Sequence, residues 1–392
     1  MQAVVWHGYE DVRVEDVPDP RIEEPTDAIV RITSTGLCGS DLHLYSIMEN
    51  FLEEGDVLGH EPMGIVEEVG PEVQHIAAGD RVVVPFNIAC GRCFMCGRGL
   101  HSQCETTQNT EHGTGGSLFG YTKLYGQVPG GQAEYLRVPQ AQFGPVKVPH
   151  GPPDTRFLYL SDVLPTAWQA VEYADIPAGG SVAVFGLGPI GQMCARIAAH
   201  RGARVIGVDL VPERLAMAES RDVETIPWTE SDEVAAEVIE LTDGRGTDSV
   251  IDAVGTEAHG SPVVEFAQKV MTLLPDRAGA ALEQRVGSDR MVALLTAIET
   301  VRRGGTISII GVYVGATDPL PMMRLFDKQV TIRMGQANVR RWVDDILPLL
   351  DDADPLGTQD FATHLLPLSD APEAYSMFQN KEDQAIKVIF QP

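Results

Sequence analysis

Apolar and polar positions follow different patterns in the two halves of the chain. In the first 150 residues, short apolar runs are separated by Gly and Pro and no long helical period appears, which predicts a β-rich region. From about residue 165, apolar strands alternate with helical segments, which predicts a parallel sheet with helices on both faces. Strands are expected in the first half at residues 28–33, 64–69, 81–85 and 133–138.

The hydrophobic pattern of the second half of the chain predicts strands and helices in regular succession. About fifty residues separate Gly255 from a turn predicted at 303–305, roughly twice the length that one helical crossover needs. We therefore expect an insertion near residues 257–290. The expected strands are 181–186, 204–210, 248–255 and 306–313, and the expected helices are 190–200, one opened by Pro212 and one from 231 to about 244.

The charge of the chain excludes two classes of partner. The formal net charge of −27 arises from 29 basic and 56 acidic residues, and only six of the basic residues are lysines. A negative surface repels nucleic acid and anionic membranes, so neither is expected as a partner. Adaptation to high salt and compositional drift toward Arg would each explain the scarcity of Lys.

The length of 392 residues exceeds what one hydrophobic core usually serves, so two domains are expected. The longest apolar runs, such as 306–316, are shorter than the roughly 18 residues of a membrane-spanning helix. The N-terminal residues include acidic side chains and lack the basic stretch and long apolar run of a signal peptide. We therefore expect a cytoplasmic protein.

Glycines at positions 186, 188 and 191 form the pattern G-x-G-x-x-G between a predicted strand and a predicted helix. The first Gly permits a tight turn, the second lets the backbone approach a pyrophosphate, and the third allows close packing of helix on strand. The free N–H groups at the start of the helix favour a bound phosphate. This context predicts a Rossmann-type dinucleotide site.

Asp209 ends the next predicted strand, where a carboxylate can bind a ribose hydroxyl and would repel a 2′-phosphate. This position therefore favours NAD over NADP. Arg214, one helical turn further on, either contacts the adenosine end of the cofactor or is a solvated helix residue. The predicted cofactor contacts are Gly186, Gly188, Pro189, Ile190, Gly191, Asp209, Arg214, Val254 and Gly255.

Four of the six cysteines lie within residues 90–104. Four thiolates at such spacings can close a tetrahedral shell around Zn²⁺ with no open position, which describes a structural site. An iron–sulfur cluster is the alternative, but the run lacks the Cys-Pro ending of such motifs. His101 lies inside this lobe, at about 88–106, and could compete as a ligand. The predicted ligands are Cys90, Cys93, Cys96 and Cys104.

Four further residues with metal-binding side chains, Cys38, His60, Glu61 and Asp162, are scattered along the chain. Taken one at a time, each has a structural interpretation as a buried thiol, a core histidine or a surface carboxylate. Their chemistry alone therefore does not establish a second metal site.

The motifs together resemble zinc-containing medium-chain dehydrogenases over essentially the whole chain, and in particular the glutathione-independent formaldehyde dehydrogenase subgroup. Several independent motifs occur in the order that this family has. The matching segments are GLCGSDLH (36–43), GHEPMGIVEEVG (59–70), the four-Cys lobe, GGQAEYLRVP (130–139), LSDVLPTAWQA (160–170), GLGPIG (186–191) and DAVG (252–255).

This resemblance implies an α/β protein with a GroES-like β-barrel catalytic domain and a Rossmann domain. The catalytic domain would span residues 1–160, the Rossmann domain 161–319, and the segment 320–392 would return to the catalytic domain. The same resemblance implies two zinc ions per chain, one catalytic and one structural, and NAD as the cofactor.

The resemblance also implies individual roles. Cys38, His60 and Asp162 would be the ligands of the catalytic zinc, with one position open for substrate. Many relatives have Cys as the third ligand, whereas the formaldehyde dehydrogenase subgroup has Asp, which makes the ion a better Lewis acid. The remaining roles are a proton relay through Ser40 and His43, an approach of Glu61 to the metal when water exchanges, and a nicotinamide contact from Thr166.

The expected reaction is hydride transfer between an alcohol or aldehyde hydrate and NAD, as in a formaldehyde dehydrogenase or an aldehyde dismutase. Polyol dehydrogenases and L-threonine dehydrogenases share the metal motifs and remain alternatives, because substrate choice depends on pocket side chains. A non-catalytic relative is disfavoured because the set Cys38, Ser40, His43, His60 and Asp162 is intact. A zinc-free quinone reductase would have no use for the four-Cys lobe.

Two further expectations concern assembly and cofactor retention. The family suggests a homo-oligomer, with a tetramer favoured over a dimer, in which the edge strand near 306–313 could pair with its copy. The insertion near 257–290 resembles the longer crossover that covers the adenine in the formaldehyde dehydrogenase subgroup. NAD would then be held tightly enough for aldehyde dismutation without cofactor release; a surface excursion or an oligomer contact is the alternative for this segment.

Overall fold

The chain folds into two compact units in the computed structural model, which describes residues 1–46, 48–255, 291–313 and 320–392. Unit 1 comprises Met1–Thr166 and Ala337–Pro392, and unit 2 comprises Ala167–Gln336. The predicted domain limits at 160/161 and 319/320 come earlier in the chain than the divisions between the two units, at 166/167 and 336/337. The predicted insertion at 257–290 lies outside the described residues.

The strands and helices are numbered here over the described residues. The strands are β1 (Gln2–Gly8), β2 (Asp11–Asp16), β3 (Ala28–Leu37), β4 (Glu61–Val69), β5 (Arg81–Val83), β6 (Tyr135–Val138), β7 (Val146–Lys147), β8 (Ser181–Phe185), β9 (Arg204–Asp209), β10 (Glu224–Pro227), β11 (Thr247–Asp252), β12 (Val301–Ile309), β13 (Thr331–Met334), β14 (His364–Pro367) and β15 (Val388–Gln391). The helices are α1 (Gly39–Ser46), α2 (Val163–Ala174), α3 (Pro189–His200), α4 (Pro212–Glu219), α5 (Ser231–Leu241), α6 (Val292–Thr300), α7 (Met322–Lys328), α8 (Val339–Ile346) and α9 (Ala371–Gln379).

Unit 1 is built on a seven-stranded sheet in the order β14-β15-β3-β4-β5-β7, with β6 also paired to β3. Every second residue at the start of β3, Ala28, Val30 and Ile32, enters one core cluster together with Val66 of β4 and Val82 of β5. A strand whose alternate residues enter a core stabilises one register only. The predicted β-rich first half is therefore confirmed.

Helix α1 follows β3 directly and was not predicted. It has eight residues, so its apolar period is too short to be recognised from the sequence. Its residues Leu44 and Tyr45 join a core cluster with Tyr375 of α9 and Phe390 of β15. The segment from 337 onward thus completes the core of unit 1.

Unit 2 contains a six-stranded parallel sheet in the order β10-β9-β8-β11-β12-β13. Apolar residues of the central strands, such as Phe185 and Val250, pack against Val234 of α5 and Leu294 of α6. The predicted strands at β8, β9 and β11 and the helices α3, α4 and α5 are confirmed. The short edge strands β10 and β13 were not predicted.

Strand β12 corrects two predictions. The turn predicted at 303–305 is a bulge inside this strand: Thr247 pairs with Val301 and Ser249 with Thr306, and Gly304 adopts a φ of +68°. The strand then ends at Ile309 rather than at 313. Because β12 pairs with β11 on one side and β13 on the other, it is not an edge strand, and pairing of 306–313 with its copy is wrong.

Within the described ranges, every helix is too short or too polar to cross a lipid bilayer.

Candidate active site and cofactor site

Four scattered side chains of unit 1 converge on one point. Cys38, His60, Glu61 and Asp162 each offer a ligand atom, and these four atoms all lie within 4.8 Å of one another. The Cys38 Sγ lies 3.5 Å and the His60 Nε2 lies 3.6 Å from the Asp162 Oδ2. All four residues are buried. The geometry thus brings together the three predicted zinc ligands and Glu61.

The sheet explains this convergence. Cys38 follows the end of β3, and Glu61 begins β4, which pairs antiparallel with β3 so that Gly36 lies opposite Glu61. His60 is the residue immediately before Glu61. Asp162 precedes α2 and is fixed by the Thr166 hydroxyl, which donates to its Oδ1 at 2.6 Å.

Asp41, which sequence analysis overlooked, supports two of the metal-binding residues. Its Oδ2 accepts a hydrogen bond from the Cys38 N–H at 2.9 Å and one from Gln132 at 3.3 Å. Its Oδ1 lies 3.1 Å from the His60 Nδ1. Asp41 lies on α1, three residues after Cys38. It is the Asp of the GLCGSDLH motif, which could have identified it from the sequence.

The predicted relay residues lie on the same helix. The Ser40 Oγ is 3.1 Å from the His60 Nε2, so it borders the metal-binding atoms. His43 is buried, with only 4% of its surface exposed. Its role in passing a proton to water stays a prediction, as does the contact of Thr166 with a nicotinamide ring.

Lys387 of unit 1 forms a buried ion pair with Glu61, and sequence analysis noted it only as one of six lysines. Its Nζ lies 2.5 Å from the Glu61 Oε2 and donates to the Leu37 carbonyl at 2.9 Å. Burial lowers the pKa of Lys387, but the Glu61 carboxylate outweighs this and holds the pKa above its usual value. The residue is therefore a buried cation beside the cluster.

The chemistry of the cluster fits a divalent cation. Burial, helped by the charge of Asp162, raises the pKa of the Cys38 thiol to about 11, so its thiolate requires a compensating cation. The Glu61 Oε1 is buried with no hydrogen-bond partner in the described part of the chain. A sulfur, an imidazole nitrogen and carboxylate oxygens are donors that Zn²⁺ accepts.

Aromatic rings pack around His60. The Phe86 and Tyr121 rings stand edge-on to it, with centroid distances of 6.3 and 6.4 Å. Tyr125 packs on Tyr121 at 5.6 Å, and the Tyr121 hydroxyl lies 3.9 Å from the Met48 sulfur. Aromatic rings therefore line part of the surroundings of His60, beside the polar groups of the cluster.

The second cluster is the four-Cys lobe. Cys90, Cys93, Cys96 and Cys104 are reduced and each offers a sulfur within 4.8 Å of the others. Burial acts to raise the pKa of the Cys90 thiol, but hydrogen bonds from Thr106 and the backbone outweigh it and bring the pKa to about 6. Four converging sulfurs fit a tetrahedral structural zinc.

His101 is not among the converging ligand atoms of this cluster. Its ring packs against Phe143 with a centroid distance of 5.0 Å and ring planes tilted by 57°. The adjacent Ser102 donates from its N–H and hydroxyl to the Asn338 Oδ1, both at 3.0 Å. The lobe is thereby attached to the start of α8 in the same unit.

The predicted glycine loop occupies the end of β8 in unit 2. Gly186 has a φ of +84°, and a Cβ on Gly191 would lie 1.7 Å from the Gly186 carbonyl oxygen, so both positions require Gly. A Cβ on Gly188 would meet no atom nearer than 3.9 Å, which leaves the backbone at the start of α3 accessible to a ligand. Pro189 and Ile190 form the first turn of this helix.

Asp209 has a structural role in addition to the predicted contact with a ribose hydroxyl. Its Oδ2 accepts from the Leu187 N–H at 2.6 Å and its Oδ1 from the Val211 N–H at 2.8 Å. The Arg214 guanidinium lies 3.7 Å from the same carboxylate. Asp209 therefore ties the glycine loop to the end of β9.

Val254 and Gly255 lie beside this loop. A Cβ on Gly186 would come within 2.8 Å of the Val254 Cγ2. The N–H groups of both residues donate to the Asp252 Oδ1, which shapes the turn after β11. Since β9, β8 and β11 are neighbours, all the predicted cofactor contacts gather at the carboxyl ends of three adjacent strands.

Two family descriptions match the chain. Residues 24–150 match the alcohol dehydrogenase GroES-like domain, and residues 189–272 match the zinc-binding dehydrogenase family. The first match covers the part of unit 1 that contains Cys38, His60, Glu61 and the four-Cys lobe. The second begins at Pro189, within the glycine loop.

Relatives match over nearly the whole chain. The uncharacterized zinc-type alcohol dehydrogenase-like protein AdhB of Bacillus subtilis is 40% identical over 100% of both chains. The formaldehyde dismutase of Pseudomonas putida is 32% identical over 96% of this chain and 94% of its own. The structure of the alcohol dehydrogenase TADH from Thermus sp. ATN1 superposes with a TM-score of 0.82 at 35% identity, over 100% of this chain and 99% of that one.

The fold, the sites and these matches define a zinc-type oxidoreductase with a GroES-like domain and a Rossmann domain. The chain belongs to the zinc-containing medium-chain alcohol dehydrogenase family. The predicted fold class and the assignment as an enzyme of this family are confirmed.

Proposed function

We propose that the protein is an NAD-linked dehydrogenase that oxidises a small alcohol or aldehyde hydrate at a catalytic zinc. One observation carries the proposal: Cys38, His60 and Asp162 come from distant parts of the chain, yet their ligand atoms converge in a buried cluster. Convergence of metal donors beside a hydroxyl side chain is typical of a catalytic metal site.

Zinc, when bound by Cys38, His60 and Asp162, would act as a Lewis acid on a substrate oxygen, and NAD would accept a hydride. The Ser40 hydroxyl, 3.1 Å from the His60 Nε2, accepts the substrate proton in this proposal. His43 on the same helix takes it further, since an imidazole exchanges protons near neutral pH. Thr166 fixes the Asp162 carboxylate.

The cofactor in this proposal is NAD rather than NADP. Gly188 leaves the backbone N–H groups at the start of α3 free for a pyrophosphate, which a helix N-terminus stabilises. The Asp209 carboxylate lies beside the glycine loop, where it would repel a 2′-phosphate. Arg214 would contact the adenosine half.

Small aldehydes are the proposed substrates. The Phe86 and Tyr121 rings pack edge-on against His60 and would form an apolar wall beside the proposed metal site. The formaldehyde dismutase of Pseudomonas putida is a relative that matches nearly the whole chain, which supports an aldehyde hydrate as substrate. Tight retention of NAD and aldehyde dismutation are part of this proposal.

The proposed location is the cytoplasm, because a reducing compartment keeps the six free cysteines from forming disulfides. The proposed assembly is a homo-oligomer in which the edge strand β13 pairs with its copy. All four residues of β13 are exposed, and the nearby Met323 and Phe326 of α7 are 79% and 80% exposed. Exposed apolar surface beside an unpaired strand edge favours association.

Zinc per chain and substrate range test the proposal together. We expect two zinc ions per chain and NAD reduction with formaldehyde or short alcohols, faster than with sorbitol or threonine. Acid treatment of the freshly purified protein should release NAD. One zinc per chain, with neither NAD reduction nor aldehyde dismutation on any of these substrates, would refute the proposal, while activity with sorbitol or threonine alone would move the protein to those substrate classes.

A further inference from the structure

A buried chain of hydrogen bonds leads from helix α9 to the proposed metal site. The Tyr375 hydroxyl of α9 donates to the Gln132 Oε1 at 2.7 Å. The Gln132 Nε2 in turn donates to the Asp41 Oδ2 at 3.3 Å. All three residues are fully buried, so solvent does not replace a partner that is lost. Each hydrogen bond of this chain therefore satisfies a polar group that would otherwise be unpaired in the core.

The partners of Gln132 determine which way its amide group points. Its Nε2 donates to the Asp41 Oδ2 and also to the Gly36 carbonyl, at 3.3 Å. A carboxylate and a carbonyl only accept hydrogen bonds, so both require the amide nitrogen on their side. The Tyr375 hydroxyl supplies the donor that the amide oxygen needs on the other side. Rotation of the amide by 180° would place its oxygen against two acceptors, and the hydrogen bond from Tyr375 opposes this rotation.

The backbone of Gln132 is attached to the segment that carries His60. Its N–H donates to the Leu58 carbonyl at 3.0 Å, and the neighbouring Gly131 N–H donates to the Gly59 carbonyl at 2.8 Å. Gly59 has a φ of +96°, and a Cβ at this position would lie 2.3 Å from the Gln132 Cγ. Gly at position 59 therefore lets the Gln132 side chain pass beside the residue that precedes His60.

Asp41 connects this chain to two of the proposed metal ligands. Its Oδ2 also accepts a hydrogen bond from the Cys38 N–H at 2.9 Å, and its Oδ1 lies 3.1 Å from the His60 Nδ1. A carboxylate that turned about its terminal bond would lose both of these contacts. The Gln132 amide, bound to the same Oδ2, holds the carboxylate against such a turn.

We propose that Gln132 and Tyr375 are positioning residues for the catalytic metal. The Tyr375 hydroxyl orients the Gln132 amide, and this amide fixes the Asp41 carboxylate. The carboxylate then holds Cys38 and His60 in the geometry that the metal requires. Both positioning residues act through Asp41 and not through contact with substrate. This inference rests on the catalytic zinc site proposed above.

Metal loss from the catalytic site, compared with loss from the four-Cys lobe, tests the role of Gln132. Co²⁺ is placed in the catalytic site with zinc kept in the lobe, because the visible spectrum of Co²⁺ reports its coordination. In Gln132→Met, a side chain of similar length donates no hydrogen bond to Asp41. We expect a changed spectrum and loss of Co²⁺ to a chelator about tenfold faster, with zinc loss from the lobe unchanged. Native behaviour of the catalytic metal, or equal acceleration at both sites, would overturn the inference.

Tyr375→Phe removes only the hydroxyl that orients the amide. We expect Co²⁺ loss about threefold faster in this variant, since the amide keeps its other partners. In the double variant with Gln132→Met, Tyr375→Phe should add nothing to the rate of metal loss, because the hydroxyl acts through the amide. Independent, additive effects would refute this order of action. Tyr45→Phe is the matched control: its ring packs on Tyr375 at 5.4 Å in the same core cluster, and its spectrum and loss rate should be native.

The experiment remains decisive if one variant does not fold. Tyr375→Phe keeps the buried ring, so a native spectrum and loss rate in this variant would overturn the inference even if Gln132→Met yields no folded protein. If the native protein holds zinc only in the lobe, the proposed catalytic site fails and the inference fails with it. If it holds two zinc ions and both variants behave as the native protein does, only the positioning role is refuted.

Discussion

The Asp41 carboxylate lies beside the Nδ1 of His60, on the opposite side of the ring from Nε2, the proposed metal-binding nitrogen. Its Oδ1 lies 3.1 Å from the Nδ1 of His60, and its side chain is fully buried. A carboxylate in this position fixes the tautomer that carries a proton on Nδ1 and leaves Nε2 as a ligand. The Cys38 N–H donates to the other oxygen, so one aspartate orients two of the proposed ligands.

Substitution Asp41→Asn should therefore weaken the catalytic metal site. We expect the affinity for zinc at this site to fall by about 10- to 100-fold, with the lobe zinc retained. Metal content after dialysis against graded chelator measures this. Asp27→Asn, which alters a buried aspartate bound to Arg137 in the same unit, is the matched control and should lower stability without selective loss of the catalytic zinc.

Substitution Cys104→Ser should remove the lobe metal. Loss of one thiolate leaves three sulfurs, so zinc should fall from two to one per chain, and the free energy of unfolding should decrease because metal binding stabilises the folded lobe. Calorimetry with metal analysis measures both. Cys194→Ala, which removes a buried thiol of unit 2, should keep two zinc ions; loss of zinc there would contradict the assignment of the lobe.

His101 should make the protein less stable in acid. Burial and the charges of Arg340 and Arg341 lower the pKa of His101 to about 4 from 6.5. The unfolded chain therefore binds a proton first as pH falls, and stability is lost between about pH 6.5 and 4. The loss from this group is at most about 3 kcal/mol.

His101→Phe keeps a ring packed against Phe143 and removes the titrating group. Its free energy of unfolding, measured by denaturant at pH 7 and pH 5, should fall less with acid than that of the native protein. An equal fall in both proteins would show that other groups dominate.

Asp209→Asn should change the choice of cofactor. The amide loses the charge that repels a 2′-phosphate, but its oxygen can still accept one of the two backbone N–H groups, from Leu187 or Val211. Loss of one such bond should raise the KM for NAD by about tenfold. The ratio of kcat/KM for NADP to that for NAD should rise, and an unchanged ratio would contradict the proposed ribose contact.

Met334→Lys should weaken assembly. Met334 is 64% exposed on the edge strand β13, and a lysine there opposes pairing of two copies. Sedimentation velocity should show a smaller species at the same concentration. Leu365→Lys, on the edge strand β14 of the other sheet, is the control, and dissociation by that variant instead would move the interface to unit 1.

Sequence analysis predicted the central strands of unit 2 because each contains a short apolar run, such as residues 182–185 in β8, with Gly close by. It missed β13 because this strand has only four residues, Thr-Ile-Arg-Met, which is too short for its alternation to be recognised. It also read Gly304 and Gly305 as a turn, although a bulge uses the same residues. A local sequence pattern does not distinguish a turn from a bulge, because the pairing with the neighbouring strand determines which of the two forms.

The metal ligands were predicted from motif and resemblance, and the structure brings their atoms together. Lys387 had no such signal, because it stands in no recognised motif and its partner Glu61 is more than three hundred residues away. Only the pairing of β15 with β3 brings the two near each other. Long-range partners of this kind require the three-dimensional fold.

Strand β15 has a consequence for biosynthesis. It inserts between β14 and β3, and Lys387 follows Leu37 by 350 residues. During translation, the end of β3 at residues 35–37, where β15 pairs, lacks that partner strand, and Glu61 lacks its counter-ion, until nearly all of these residues have emerged from the ribosome. An unpaired strand edge favours mispairing during this interval, and the ion pair of Lys387 with Glu61 forms only after β15 has docked.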